Sequence, residues 1–336
     1  MSATRLIHVD DSLPGIGRER LGDGWRYRDA KGKIIREAAE IRRLNAVALP
    51  PAYEDAWFCP APNGHILATG YDARGRKQYR YHPEFRLAQE AGKYDRCAAF
   101  GHALPLLRAR LEEDLARRNL SPERVVGAVV RLLDLAALRV GNEQYAAANN
   151  SFGATTLRRH HAKLTGKTLR LNYRAKGGTQ RLVTISDRSL TTLIRRLQDL
   201  PGQNLFQYDD DGDLCAVGSD DVNAYIQGVM GDAFSAKHFR TWSASVEAFA
   251  FLYDAPEPPT LKQLLQHVAD HLGNTPAIAR KAYVHPAMIA AAQERGDFAA
   301  TVGQLPRATR YLSRVERGFL AYLERAPDAA ELLRSA

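Results

Sequence analysis

The chain reads as an α+β protein: a small, mostly β N-terminal domain over residues 1–90, then a larger, mainly α-helical domain over 91–336 that carries a small β-hairpin or sheet. Three observations predict this. Strand and turn signals punctuate the first ninety residues; from about Gly92 the apolar residues recur at helical spacing; between Thr155 and Ile185 they alternate instead. A length of 336 residues also suits two hydrophobic cores better than one.

Taken in order, Trp25-Arg26-Tyr27-Arg28 and His65–Gly70 read as short strands, the first closed by the turn Asp29-Ala30-Lys31-Gly32. Tyr71–Gly75 turns the chain into Arg76-Lys77-Gln78-Tyr79-Arg80-Tyr81. One helix is expected from Glu37 to Val47, where Ala38, Ile41 and Leu44 share a face. Past Gly92, Leu104, Leu107, Leu111 and Leu115 form a helical stripe. Ser121-Pro122 then supplies an N-cap and an N1 proline for a helix bearing Val125, Val129, Leu132 and Leu133. Leu169, Leu171 and Tyr173 face one way, and the tight Lys176-Gly177-Gly178 turn leads to a returning strand over Gln180–Ile185. The remainder is mainly helical. The acidic run Asp209–Asp213 reads as a solvated loop, since it lacks the twelfth-position glutamate of a calcium loop.

Composition is that of an ordinary globular protein, with no apolar run approaching the roughly 20 residues of a membrane span. The N-terminus shows no basic then apolar leader, and Cys59, Cys97 and Cys215 are too scattered for a disulfide framework or a metal site, so a cytoplasmic protein with reduced thiols is expected. The formal charge of +9 favours a polyanionic partner. No GxxxxGK[ST], HExxH or GxSxG motif is present, which leaves nucleotide hydrolysis, zinc proteolysis and α/β-hydrolase chemistry without support.

What the sequence does contain is an ordered set of cations followed by a tyrosine. Arg139, in Leu138-Arg139-Val140-Gly141-Asn142-Glu143, is expected where a helix stops, and taken alone would be a surface arginine paired to Glu143. Lys176 sits at a hairpin tip. Lys237 and Arg240, in Lys237-His238-Phe239-Arg240-Thr241-Trp242, taken alone suggest a solvated helix face. In Gly273-Asn274-Thr275-Pro276, Thr275 caps a helix whose Tyr283 lies two turns on, before His285-Pro286 ends it. No one of these is specific. Together they fit strand cleavage by tyrosine: a phenol of pKa about 10 needs cations to favour phenolate. Guanidinium forks match the charge developing on an attacked phosphodiester, and the departing 5′ oxygen needs a general acid.

The fragments Leu138–Glu143, Asn150-Ser151-Phe152-Gly153, His238–Trp242, Gly273–Tyr283 and Gly75–Tyr81 resemble the type IB DNA topoisomerases of the small bacterial, poxvirus-like kind, over nearly the whole chain. The resemblance implies a catalytic domain of the tyrosine recombinase/topoisomerase IB type that relaxes supercoiled double-stranded DNA as a monomer clamping the duplex, at the nucleoid, without cofactor, metal or ATP. Tyr283 would form a 3′-phosphotyrosyl link, Arg139 and Arg240 would hold the scissile phosphate, and Lys176 would protonate the leaving 5′ oxygen, helped by Arg139. Lys167, in Leu164-Thr165-Gly166-Lys167, imitates the family's lysine motif, but the strand running back from Gln180 registers with Lys176. Gln78, Tyr79, Tyr81 and Lys237 would contact DNA. The poxvirus branch has histidine nine residues before the tyrosine, whereas this chain has Asn274, which the resemblance assigns to the bacterial branch. The alternatives are a tyrosine recombinase, which usually carries histidine where Lys237 stands and begins with a helical domain, and a DNA-binding protein without catalysis.

Overall fold

The computed structural model describes residues 5–335 except residue 211, and divides into two compact units, one ending at Gly92 and the other starting at Lys93. The first contains β1 (Ile16–Leu21), β2 (Gly24–Arg28), α1 (Ala38–Ala46), β3 (Glu54–Phe58), β4 (Ile66–Tyr71) and β5 (Lys77–Tyr81). The five strands make one antiparallel sheet in the order β2-β1-β3-β4-β5. Its core is Ile16, Tyr27, Leu44, Leu49, Phe58 and Ala68, with the Tyr27 and Phe58 rings edge to face at 5.5 Å. Strands β1 and β3 carry no sequence signal, because IGRERL and EDAWF are too polar to alternate cleanly.

The second unit is mainly helical. Helix α2 (Pro83–Ala116) opens within the first unit, nine residues before the expected change of period because Pro83 serves as a helix start, and continues into the second, which then holds α3 (Pro122–Ala136) and α4 (Glu143–Asn149). A three-stranded antiparallel sheet follows, β6 (Ala162–Thr165), β7 (Thr168–Arg174) and β8 (Gln180–Ser186), and then α5 (Arg188–Gln198). Strands β9 (Gln207–Asp210) and β10 (Asp213–Ala216) precede α6 (Ser219–Met230), α7 (Lys237–Asp254), α8 (Leu261–Leu272), α9 (Pro276–Ala282) and α10 (Pro286–Glu294). The chain closes with α11 (Phe298–Val302), α12 (Arg314–Leu323) and α13 (Ala329–Ser335).

The leucine stripe of α2, the apolar face of α3, and Leu169, Leu171 and Tyr173 of β7 are all buried in one core around Phe239, Trp242 and Phe249 of α7. Two expectations are corrected. The acidic run is the tip of a hairpin, since Asp213 pairs with Asp210 across β9 and β10; Asp211 lies outside the described residues. Ser121 is extended before α3 but its hydroxyl makes no cap bond.

Beneath this core an ion network ties three helices. Arg108 of α2 reaches Asp134 of α3 at 2.8 Å and Glu316 of α12 at 2.7 Å, and Glu316 also accepts from the Trp242 indole at 3.3 Å. Arg108→Ala would leave the buried Glu316 carboxylate without its cation and Asp134 with only its longer contact to Arg131 at 3.3 Å. The expected cost is about 3–5 kcal/mol, read as a loss of thermal stability; an unchanged unfolding midpoint would refute it.

Candidate active site

The Arg139 segment is a backbone splint. Helix α3 ends at Ala136, Ala137 turns left-handed at φ 48°, and the next residues run alongside 152–156. Ala154 N–H donates to the Arg139 carbonyl at 2.8 Å, Thr155 N–H to Val140 at 2.7 Å, and Phe152 N–H to the Arg174 carbonyl at the end of β7 at 2.8 Å. The approach requires glycine on both sides. Gly141 has φ 104°, and a Cβ on Gly153 would sit 2.6 Å from both the Arg139 carbonyl oxygen and the Gly141 nitrogen. Arg139 therefore stands just past a helix end, as its sequence context suggests, but not paired to Glu143. Glu143 pairs with Arg158, and Arg139 Nη2 donates to Asn274 Oδ1 at 3.1 Å.

Lys176 is carried by the β7–β8 hairpin, whose turn is closed by Ala175 N–H to Thr179 O at 2.8 Å and uses positive φ at Gly177 and Gly178. Its ammonium is exposed and lies 5.9 Å from the Tyr145 ring centroid. Lys167 occupies the turn at the other end of β7, about 20 Å away along a seven-residue strand.

Arg240, in the first turn of α7, overturns the solvated-face reading. It is 95% buried, and its guanidinium donates to the carbonyls of Ala137, behind α3, and of Leu272, at the end of α8 (the latter at 3.3 Å). Lys237, one turn earlier, is exposed. The imidazole beside them, His238, turns away toward Phe100 and Phe234, accepts from Ser235 N–H at 3.0 Å, and is pushed down to about 4 by burial.

Tyr283 closes α9, a short helix started by Pro276 and capped by Thr275. His285-Pro286 does not end this helix; Ala282 is its last residue, and Pro286 opens α10 with His285 as N-cap. Two residues without any sequence signal fix the tyrosine backbone. The fully buried Ser245 hydroxyl accepts from His285 N–H at 3.0 Å while it donates to Thr241 O at 2.8 Å, with Tyr283 O a longer contact at 3.3 Å, and the Lys93 ammonium donates to the Ala282 carbonyl.

These pieces meet in one cleft of 450 Å³ lined by Arg139, Lys176, Lys237, Arg240 and Tyr283, with Gly141, Tyr145 and Phe152 among its walls. Four of its lining residues are cationic, and among the described residues no carboxylate lines it. Asn274 stands behind, bonded to Arg139; its Nδ2 and the Arg240 Nε are buried donors with no protein partner. Burial alone would push the Tyr283 phenol up, but Arg240, 4.7 Å from the ring, outweighs it with help from Arg139 and Lys176, and the phenol lies below its ordinary value. The cleft thus offers four cations beside a phenol that they lower.

In the first unit, β5 is an edge strand. Alternation puts Tyr79 and Tyr81 on one face, stacked at 5.7 Å and about 40% exposed, and Gln78 on the other, where its amide donates to Asp72 at 3.1 Å.

Residues 82–298 match the family model described as eukaryotic DNA topoisomerase I, catalytic core, and residues 24–72 match that of the bacterial DNA topoisomerase IB N-terminal domain. The chain is similar to DNA topoisomerase 1B of Acanthamoeba polyphaga mimivirus, 32% identical over 291 residues that cover 81% of this chain and 85% of that protein. Among solved structures it is similar to the XerH site-specific recombinase in a post-cleavage complex with palindromic difH substrate, at 16% identity and a TM-score of 0.35, covering 53% of this chain and about half (47%) of that one. No helix among the described residues is long and apolar enough to cross a membrane.

Proposed function

The chain belongs to the type IB DNA topoisomerase family, an isomerase family acting on DNA, and from that premise we propose how its own residues relax supercoils. Tyr283 attacks the scissile phosphorus as phenolate, its proton having passed to solvent, and forms the 3′-phosphotyrosyl bond as the P–O5′ bond breaks. Arg139 and Arg240 hold the non-bridging oxygens, with the free Nδ2 of Asn274 as a neutral third donor. Lys176 gives a proton to the departing 5′ oxygen, with Arg139 beside it. Religation runs the same steps backward once the broken strand has rotated. A monomer would clamp the duplex, with the exposed Tyr79–Tyr81 face of the first unit, Gln78, and Lys237 on DNA, and would work at the nucleoid.

The observation that carries this reading is a lowered tyrosine phenol in a cleft whose charged side chains, among the described residues, are four cations and no carboxylate. Those fixed cations supply the charge that a metal would otherwise bring. Relaxation of negatively and positively supercoiled plasmid in EDTA without ATP tests it. Relaxation of both signs is expected; failure across a range of salt, with DNA binding intact, would overturn it.

Asparagine cannot titrate. The single-turnover cleavage rate should therefore show no ionisation near pH 6.5 arising from position 274, and neighbouring His238, neutral down to about 4, supplies none either. A step near pH 6.5 that disappears in Asn274→Ala would sink the role given to this residue.

A further inference from the structure

The last turn of α8 spends three successive carbonyls on two arginines from different parts of the fold. Leu272 O accepts from Arg240 at 3.3 Å, while Asp270 O (3.3 Å) and His271 O accept from Arg181. Arg181 belongs to β8, where it pairs across the hairpin with Tyr173, five residues from Lys176. Its guanidinium thus bolts the lysine hairpin to the end of α8. The fit is close: Gly273, left-handed at φ 63°, lies against Arg181 so that a Cβ would stand 2.8 Å from Nη1 and 3.0 Å from Cδ. The next residue, Asn274, holds Arg139, and α9 follows with Tyr283 at its end. A cation at a helix C-terminus is favourable in itself. This one, however, comes from a hairpin whose own turn is exposed and glycine-rich, and among the described residues it is the hairpin's hydrogen-bonded tie to α8.

We propose that Arg181 is a positioning residue for leaving-group protonation: it registers the β7–β8 hairpin on the C-terminus of α8, so that Lys176 is presented to the 5′ oxygen in the frame set by Arg139, Arg240 and Tyr283. The inference rests on the proposed function, with Lys176 as general acid. Arg181 is not among the residues lining the cleft, so it acts through the hairpin rather than on the phosphate.

The test is single-turnover cleavage of a duplex with an ordinary 5′ oxygen and of one with a bridging 5′ sulfur at the scissile position. A thiol of pKa about 8.5 leaves without protonation, so the sulfur duplex needs no general acid. Arg181→Ala should slow cleavage of the oxygen duplex roughly 100-fold, the scale of a 1 Å misplacement, leave duplex affinity unchanged, and cleave the sulfur duplex nearly as the parent does. Added to Lys176→Ala it should cost nothing more. Arg181→Lys, which keeps the charge and stem but only one point of donation, gives the same pattern in milder form, and carries the test if the alanine variant does not fold. Equal slowing on both duplexes, additivity with Lys176→Ala, or parental rates in both variants would overturn the inference. A parent that forms no covalent adduct would refute the underlying function instead, and a Lys176→Ala variant equally slow on both duplexes would refute the general-acid assignment.

Discussion

Tyr283→Phe is expected to bind duplex DNA like the parent, to relax none of it, and never to be recovered covalently joined to it. The ring is half-buried at the end of α9, and its backbone is held by Ser245 and by the preceding carbonyl's bond to Lys93, none of which involves the hydroxyl. Removing one oxygen therefore leaves the packing and the four cations that would attract phosphate. What disappears is the proposed nucleophile, and the cleft's lining offers no second one of comparable placement: Ser151 is buried against the Asn149 carbonyl, and Tyr145 is exposed on α4. The same geometry gives a pH expectation for the parent. Because the cations outweigh burial and lower the phenol, the phenolate becomes available below pH 10, and the cleavage rate should level off at a lower pH than a free phenol would allow. Relaxation by Tyr283→Phe at the parental rate, or a labelled strand still retained on that variant after denaturation, would remove the nucleophile assignment and revive the reading of a DNA-binding protein without catalysis.

The second large effect belongs to Arg240. Arg240→Lys keeps a positive charge and most of the stem but loses the planar fork, and this arginine has three tasks at once. It donates to Ala137 O and Leu272 O, so joining the ends of α3 and α8; it lies over the Tyr283 ring; and its unpartnered Nε remains for a phosphate oxygen. A lysine can meet one of these demands. Loss of an oriented charge-stabilising donor slows chemistry roughly 10²–10³-fold. One buried carbonyl left without its donor costs about 1–3 kcal/mol more in stability. The expected result is a cleavage rate down by at least about 100-fold with a lowered unfolding midpoint, since Arg and Lys are not interchangeable at a forked site. A rate within about threefold of the parent would show that Arg240 is an internal brace and not part of the phosphate grip.

The contrast between Arg240 and Arg181 shows how far such a site can be read from sequence. The cationic residues lining the cleft stand in punctuated contexts (a helix stop, a hairpin turn, a helix start), and their order along the chain already matched the chemistry. The resemblance favours Lys176 over Lys167 through the strand running back from Gln180, and it is Lys176 that lines the cleft. What could not be read is which groups hold them. Ser245, Lys93 and Arg181 act by binding backbone groups of residues 40, 189 and about 90 positions away, and a backbone group has no sequence identity to pattern against. The burial of Arg240 was hidden for a related reason: a cation three residues from Lys237 looks solvated until the two helix ends that receive it are known. In the first unit the helix and the strands flanked by glycine turns were legible, while β1 and β3, polar on both faces, were not.

Lys93 bears on how the larger unit could be isolated. It is the first residue of that unit by compactness, yet it sits in the interior of α2, ten residues past Pro83, and its ammonium serves the carbonyl immediately before Tyr283. A fragment cut at residue 93 would place this lysine at a fraying helix terminus, with the new first-turn N–H groups unsatisfied. Expression of the helical unit alone should therefore begin at or before Pro83, so that the turns preceding Lys93 keep its side chain aimed at the end of α9.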